Sequence, residues 1–162
     1  MADVRQGLTR GLRFRPIGTV RSRFKEPADL PPPAFAPPRF FERSTGEIEV
    51  DPEFAEALDD IEGFSHIIVL FHFHRSGGAK LKAVPPGEPR PRGIFSTRSP
   101  HRPNPLGLSV LKLLGRDGRV LKVSGLDIID GTPVLDIKPY TSRDRKSHIR
   151  TGWLQKNRRP AR

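Results

Sequence analysis

Two guanidinium groups, an imidazole, a carboxamide and three hydroxyls stand within a few positions of one another, at Arg98 and Arg102, His101, Asn104, and Ser96, Thr97 and Ser99. Arginines bind carboxylates and phosphates bidentately, so this mixture suits an anionic ligand. The backbone beneath it is stiff. Pro100, Pro103 and Pro105 each fix φ and restrict the residue before them to extended conformations, so neither a helix nor a central strand can run through the segment. Apolar alternation resumes at once in 106–114. A rigid polar loop between two strand-like segments is a place where folds hold ligands, although an ordinary surface turn meets the same local description.

Other constellations carry less. His66, His72 and His74 fall at even spacing on one apolar run, which on a strand would put them on one face. Such a trio can ligate a metal, but no Asp or Glu accompanies it at a helpful spacing, so no metal is expected. His74 and Arg75 read better as the edge of a pocket at the strand's end. Asp130-Gly131-Thr132-Pro133 has the composition of a tight turn; set beside the proline-stiffened loop, its backbone groups could read the edge of a purine. There is no cysteine, hence no thiolate catalysis, disulfide or Cys-bound zinc. Walker and G-x-G-x-x-G loops and a nucleophile elbow are absent.

The elements that must position these groups are short. Strands are expected over about 13–21, 47–50, 66–74, 93–95, 106–114, 120–124 and 134–140, with turns at 44–47, 116–119 and 130–133. The 66–74 run has little polar alternation and reads as buried on both faces. Asp51, Pro52 and Glu53 start a helix through their capping, N1 and dipole preferences; Phe54, Ala57, Leu58 and Ile61 share a face, and Gly63 ends it. Stretch 26–39 holds six prolines and reads as an extended loop within the domain, and 76–91 as a Gly/Pro loop. The expected fold is mainly β, a small closed or partly closed β-barrel with one short helix and long Pro/Gly-rich loops.

At 162 residues one domain is expected, over 13–155, between basic tails at 1–12 and 156–162. The net charge of +11 is concentrated at the ends: residues 1–25 carry +6, residues 143–162 carry +7, and 26–142 sum to −2. Basic ends fit a phosphate-rich partner or solvated tails. The expected helix, with nine acids against one base over 42–62, is a poor surface for nucleic acid. No apolar run approaches the length of a membrane span, and the basic N-terminus has no apolar segment behind it, so a cytoplasmic protein without a membrane partner is expected.

Residues 95–109 resemble the F-x-T-R-S-x-x-R-P-N-P-I/L-G-L/M-S signature of the TrmO/TsaA-like family, and residues 127–140 its D-x-x-D-G-T-P-V/I-x-D-I-K-P-Y element. The family's N-terminal pattern is similar to Ile17–Ser22 with Phe24-Lys25, and its G-x-x-H-I/L strand to 63–67; together the resemblance spans about 14–155. It implies a β-barrel methyltransferase that uses S-adenosyl-L-methionine, acts on the exocyclic nitrogen of threonylcarbamoyladenosine beside the anticodon of tRNA, and works as a homodimer. The family's loop reads P-R-Q where this chain has Pro31-Pro32-Pro33, and the short chain is similar to archaeal and stand-alone relatives. Carried onto this sequence, the resemblance implies cofactor contacts from Pro33, Ala34, Phe35, His74, Arg75, Arg102, Pro103, Leu113, Ile129, Asp130, Gly131 and Thr132. Arg98 is the implied catalytic or substrate-positioning residue, followed by Asn104 and Tyr140. Methyl transfer is an in-line displacement that rests on positioning, and no general base is named. A same-fold methyltransferase for a small molecule and a non-catalytic nucleotide- or RNA-binding module are the alternatives.

Overall fold

A computed structural model describes residues 13–31, 36 and 39–157. Pro33, Ala34 and Phe35, the tail at 1–12 and residues 158–162 of the other tail lie outside the described residues. Strands β1 (Gly18–Arg21), β2 (Thr45–Val50) and β3 (His66–His72) come first. A small ribbon follows, β4 (Lys82–Ala83) with β5 (Arg92–Gly93); then come β6 (Leu106–Asp117), β7 (Val120–Ser124) and β8 (Pro133–Pro139). All but the ribbon close into a six-stranded barrel in the order β1-β2-β7-β6-β3-β8. Every pairing in it is antiparallel. The expected mainly β, closed barrel is the observed fold.

Period-two alternation builds the core. On β6 the buried positions are Gly107, Ser109, Leu111 and Leu113, and on β3 they are Ile67, Val69 and Phe71. These meet Val20, Ile48, Val50, Leu121, Val123 and Val134 inside the barrel, and Leu126 and Ile128 cover the core from the segment after β7. Each fully buried aliphatic side chain contributes about 1.5–3 kcal/mol of apolar transfer energy.

The barrel's alternation also decides where the loops go. With every neighbour antiparallel, β1, β3 and β7 end at the same rim at which β2, β6 and β8 begin. The three connections 22–44, 73–105 and 125–132 therefore leave from one end. Those three carry the proline-rich stretch, the signature loop and the Asp-Gly-Thr-Pro turn.

Several local expectations change. Residues 44–47 are no turn: Thr45 pairs with Ser124 and Gly46 with Val123. Gly46 is a strand glycine because a Cβ there would collide with the Leu126 side chain and the Arg21 carbonyl. The helix after β2 is 3-10 over Pro52–Leu58, with Pro52 at its first position as expected but no capping bond from the Asp51 side chain. Its roughly 2.0 Å rise per residue lets seven residues cross the barrel's closed end, about 14 Å. There Leu58 is buried and Phe54 and Ile61 pack on the core. On β3 only alternate residues are buried; Ile68 and Leu70 are half-exposed. The segment at 93–95 is strand only at Gly93, and Ile94–Ser96 is a 3-10 turn.

Candidate active site

The end of β3 is the junction of the loops. Phe71 pairs with Gly107 on one side and with Val134 on the other, so whatever follows Phe71 lies between the signature loop entering β6 and the turn entering β8. Hydrogen bonds complete the junction in both directions. Ser76 Oγ donates to the Pro100 carbonyl at 3.0 Å, and Phe73 N–H donates to the Pro105 carbonyl at 2.7 Å. In the other direction, Arg75 Nη1 donates to the Lys25 carbonyl at 3.1 Å and to Glu26 Oε2 at 2.6 Å.

Residues Ile129, Asp130, Gly131 and Thr132 join the same region through β1. Asp130 accepts from Ser22 N–H at 2.8 Å and pairs with Lys25 Nζ at 2.8 Å. Lys25 first, and the Ser22 N–H next, hold the Asp130 carboxyl below the usual carboxylate range. Its backbone N–H donates to the Phe24 carbonyl at 2.7 Å, and that of Gly131 to Val20 at 2.9 Å. Gly131 has φ +72, which the turn requires. Thr132 is buried and donates to the Ile129 carbonyl at 2.8 Å. Asp130 and Thr132 thus fix the turn against the barrel, and Asp29, accepting from the N–H groups of Lys25 and Glu26 at 2.7 and 2.9 Å, fixes the start of the proline-rich stretch.

His74 follows β3 and does not share its strand face with His72; its N–H donates to the His72 carbonyl at 2.8 Å. Its Nδ1 is buried with no hydrogen-bond partner among the described residues. Burial, then the charges of Arg75 and His72, push the imidazole below its ordinary range. No three His, Asp or Glu side chains gather into a metal site among the described residues.

Within the signature loop, Arg102 turns inward: Nη1 donates to the Thr97 carbonyl at 2.9 Å and the guanidinium lies 5.9 Å from the Phe95 ring centroid. Pro103 and Asn104 are exposed on the crest. Arg98 is exposed and lines a cavity of about 240 Å³ with Leu108, Ser109, Val110, Gly125 and Asp127. Ser109 donates to Asp127 Oδ1 at 2.7 Å there.

Two expected site residues lie elsewhere. Tyr140 stands at the opposite end of β8, its N–H bonded to the His66 carbonyl at 3.1 Å and its ring 6.2 Å from His66. About seven residues of strand at roughly 3.3 Å each separate it from the loop-bearing rim. Leu113 is a core residue well down β6 from the signature loop. Within one chain neither joins Arg98.

Sequence reasoning passed over Asp127, Ser109 and Trp153. Trp153 Nε1 donates to the Ser96 carbonyl at 2.9 Å, and Arg92 lies over its ring at 5.2 Å, so the C-terminal segment straps the loop that carries Arg98. The one tryptophan of the chain was the available signal. A larger cleft, about 900 Å³, runs over β1, β2 and β7. Its charges are mostly paired, Arg21 and Arg119 with Glu49, and Lys25 with Asp130, and only Asp130 and Gly131 of the expected site reach it.

The family model for the tRNA-methyltransferase O N-terminal domain matches residues 19–144. The chain belongs to this family. It is 48% identical over 145 residues to a probable S-adenosyl-L-methionine-binding protein of Pyrococcus abyssi, covering 89% of this chain and 77% of that one. It is 38% identical to the tRNA (adenine(37)-N6)-methyltransferase of Escherichia coli, covering 79% of this chain and 57% of that enzyme. The crystal structure of TrmO from Pseudomonas aeruginosa superposes with a TM-score of 0.69 at 37% identity, over 88% of this chain and 62% of that chain. The chain thus spans less than two thirds of those two longer relatives.

Proposed function

We propose that this protein is an S-adenosyl-L-methionine-dependent methyltransferase acting on the exocyclic nitrogen of threonylcarbamoyladenosine beside the anticodon of tRNA, as a cytoplasmic homodimer. The observation that carries the reading is the meeting of the signature loop, the Asp127–Thr132 segment and the His74-Arg75 corner at one rim, in a chain 38% identical to a tRNA (adenine(37)-N6)-methyltransferase.

The residues at the rim fit the cofactor's chemistry. Arg98 offers a guanidinium for a carboxylate, Asp127 a carboxylate for an ammonium group, and Leu108 and Val110 an apolar wall for a purine, all on one cavity. The buried, unpartnered Nδ1 of His74 is a polar atom that a ligand would satisfy. When bound, S-adenosyl-L-methionine supplies a methyl group on a positively charged sulfur. The chain's part is orientation: the proline-fixed loop presents Arg98, Ser109 steadies Asp127, and the ties of Asp130, Arg75 and Arg102 hold the surrounding backbone still. A guanidinium also suits the carboxylate of the modified adenosine. Support for the homodimer comes from the outward side chains of β6, where Leu106, Leu108 and Val110 form an exposed apolar row.

The test is mass spectrometry of tRNA nucleosides from cells with and without the protein, repeated with purified protein, tRNA and S-adenosyl-L-methionine. A methylated threonylcarbamoyladenosine that appears only with the protein is the expected result. Its absence in both experiments, with cofactor binding intact, refutes the tRNA substrate.

A further inference from the structure

The sum of −2 over residues 26–142 conceals a second, structured concentration of positive charge. Residues 75–109 carry seven Lys/Arg and one acid, and that acid, Glu88, is paired with Arg92 at 2.5 Å. Lys80, Lys82, Arg90 and Arg98 are exposed on this segment. Phe95, between Arg90 and Arg98 in sequence, has 78% of its surface open to solvent. Among the described residues it is the most exposed large apolar side chain. Its neighbour Ile94 is the buried anchor, bonded through its N–H to the Leu81 carbonyl at 2.9 Å.

The ring is nevertheless held. Arg102 lies 5.9 Å from its centroid while donating to the Thr97 carbonyl, and Trp153 pins the next residue through the Ser96 carbonyl. An aromatic face with a guanidinium at its side, on a segment that carries exposed lysines and arginines, has the chemistry that binds unstacked bases of single-stranded RNA. We infer that Phe95 is a stacking platform for an unpaired nucleobase of the RNA substrate, with Lys80, Lys82 and Arg90 holding the flanking phosphates. The inference rests on the reading of RNA as substrate and adds where, and by what contact, the RNA is gripped. The acidic 42–62 segment lies largely at the opposite end of the barrel, so the charge pattern directs the RNA to the loop rim.

The test compares the full chain with Phe95→Ala and Phe95→Trp, using fluorescence anisotropy with a labelled anticodon stem-loop RNA. Phe95→Ala is expected to weaken RNA binding on the order of tenfold, and Phe95→Trp to retain it. Affinity for S-adenosyl-L-methionine by calorimetry is expected to stay level in both. The slope of log affinity against log salt should hold for Phe95→Ala and fall for Lys82→Ala, since only the lysine meets phosphate. Equal RNA binding by Phe95→Ala and the parent chain overturns the inference, as does a parallel loss of cofactor affinity. A changed mass in sedimentation also overturns it, since the ring would then belong to a protein interface. A parent chain that binds no RNA defeats it too. RNA bound through Phe95 without methyl transfer would defeat only the proposed activity, whereas methyl transfer indifferent to Phe95 would defeat only this inference.

Discussion

Ser109 on β6 donates its hydroxyl to the carboxylate of Asp127 at 2.7 Å, across to the segment that leaves β7. The register makes the meeting. Lys112 pairs with Ser124, so the chain continuing past Ser124 runs back along β6 toward its start, over Val110 and then Ser109. One oxygen of Asp127 is thereby fixed on the wall of the cavity that Arg98 lines. Two segments far apart in sequence supply opposite charges to one small space.

Asp127→Asn removes the negative charge while keeping the shape. Turnover with tRNA is expected to fall on the order of tenfold or more. Ser109→Ala costs one charge-assisted hydrogen bond, about 1.5–3 kcal/mol of local order, and should lower turnover less. Single-turnover methylation assays on the two variants check the ranking. Equal, parental rates in both would remove Asp127 from the site.

The glycine of the signature is a packing requirement of the barrel. A Cβ at Gly107 would fall inside the ring of Phe71, against Cε2 and Cζ, and Phe71 is buried with Phe73 stacked edge-on at 5.2 Å. Gly107→Ala is expected to cost about 1–3 kcal/mol and to lower the melting temperature on the order of 5 °C. The double variant Gly107→Ala, Phe71→Leu makes room and should recover part of the loss, as read by calorimetry.

Burial and the neighbouring charges hold the His74 imidazole below its ordinary range in the folded chain, while the unfolded chain protonates it in that range. Above that range both states are neutral and the residue has no influence on pH dependence. As pH falls through it, the unfolded chain takes up the proton first and stability declines, until the folded imidazole is also protonated. His74→Gln should therefore flatten the melting-temperature profile between about pH 7 and 5. A profile unchanged by the substitution would place the titration elsewhere.

The exposed row on β6 tests the homodimer. Leu108→Glu sets a charge among Leu106, Leu108 and Val110, which are 37%, 51% and 44% exposed in the single chain. Sedimentation should show the parent chain at twice its formula mass and the variant at one. A monomeric parent chain would refute the dimer.

Much of the barrel was legible because burial on a closed sheet leaves a period-two trace, as in Leu111, Leu113, Leu121 and Val123. The pocket-forming loops were legible because their prolines exclude regular structure. Three things left no local signal. Gly46 looked like a turn because its reason for being glycine, the approach of Leu126 and Arg21, is tertiary. The ribbon of β4 and β5 is two residues on each strand, too short for any period. Tyr140 was grouped with Arg98 by sequence motif, whereas strand direction carries it to the other end of the barrel.

The last prediction concerns the strap. In the 3-10 turn that leads into Arg98 only Ile94 is buried, and hydrogen bonds at the loop's edges hold the rest. Trp153 supplies one through Nε1 to the Ser96 carbonyl, and Arg92, bound to Glu88, lies over the indole ring. Trp153→Phe keeps an aromatic ring for Arg92 but loses the donor; Trp153→Ala loses both. If the strap acts by holding Arg98 in place, kcat should fall in the order parent, Phe, Ala, on the order of several-fold and tenfold, while the melting temperature shifts only a few degrees. Hydrogen exchange at residues 95–99 should quicken in the same order. A kcat that tracks the melting temperature and not the exchange would mean that Trp153 stabilises the fold and leaves the site alone.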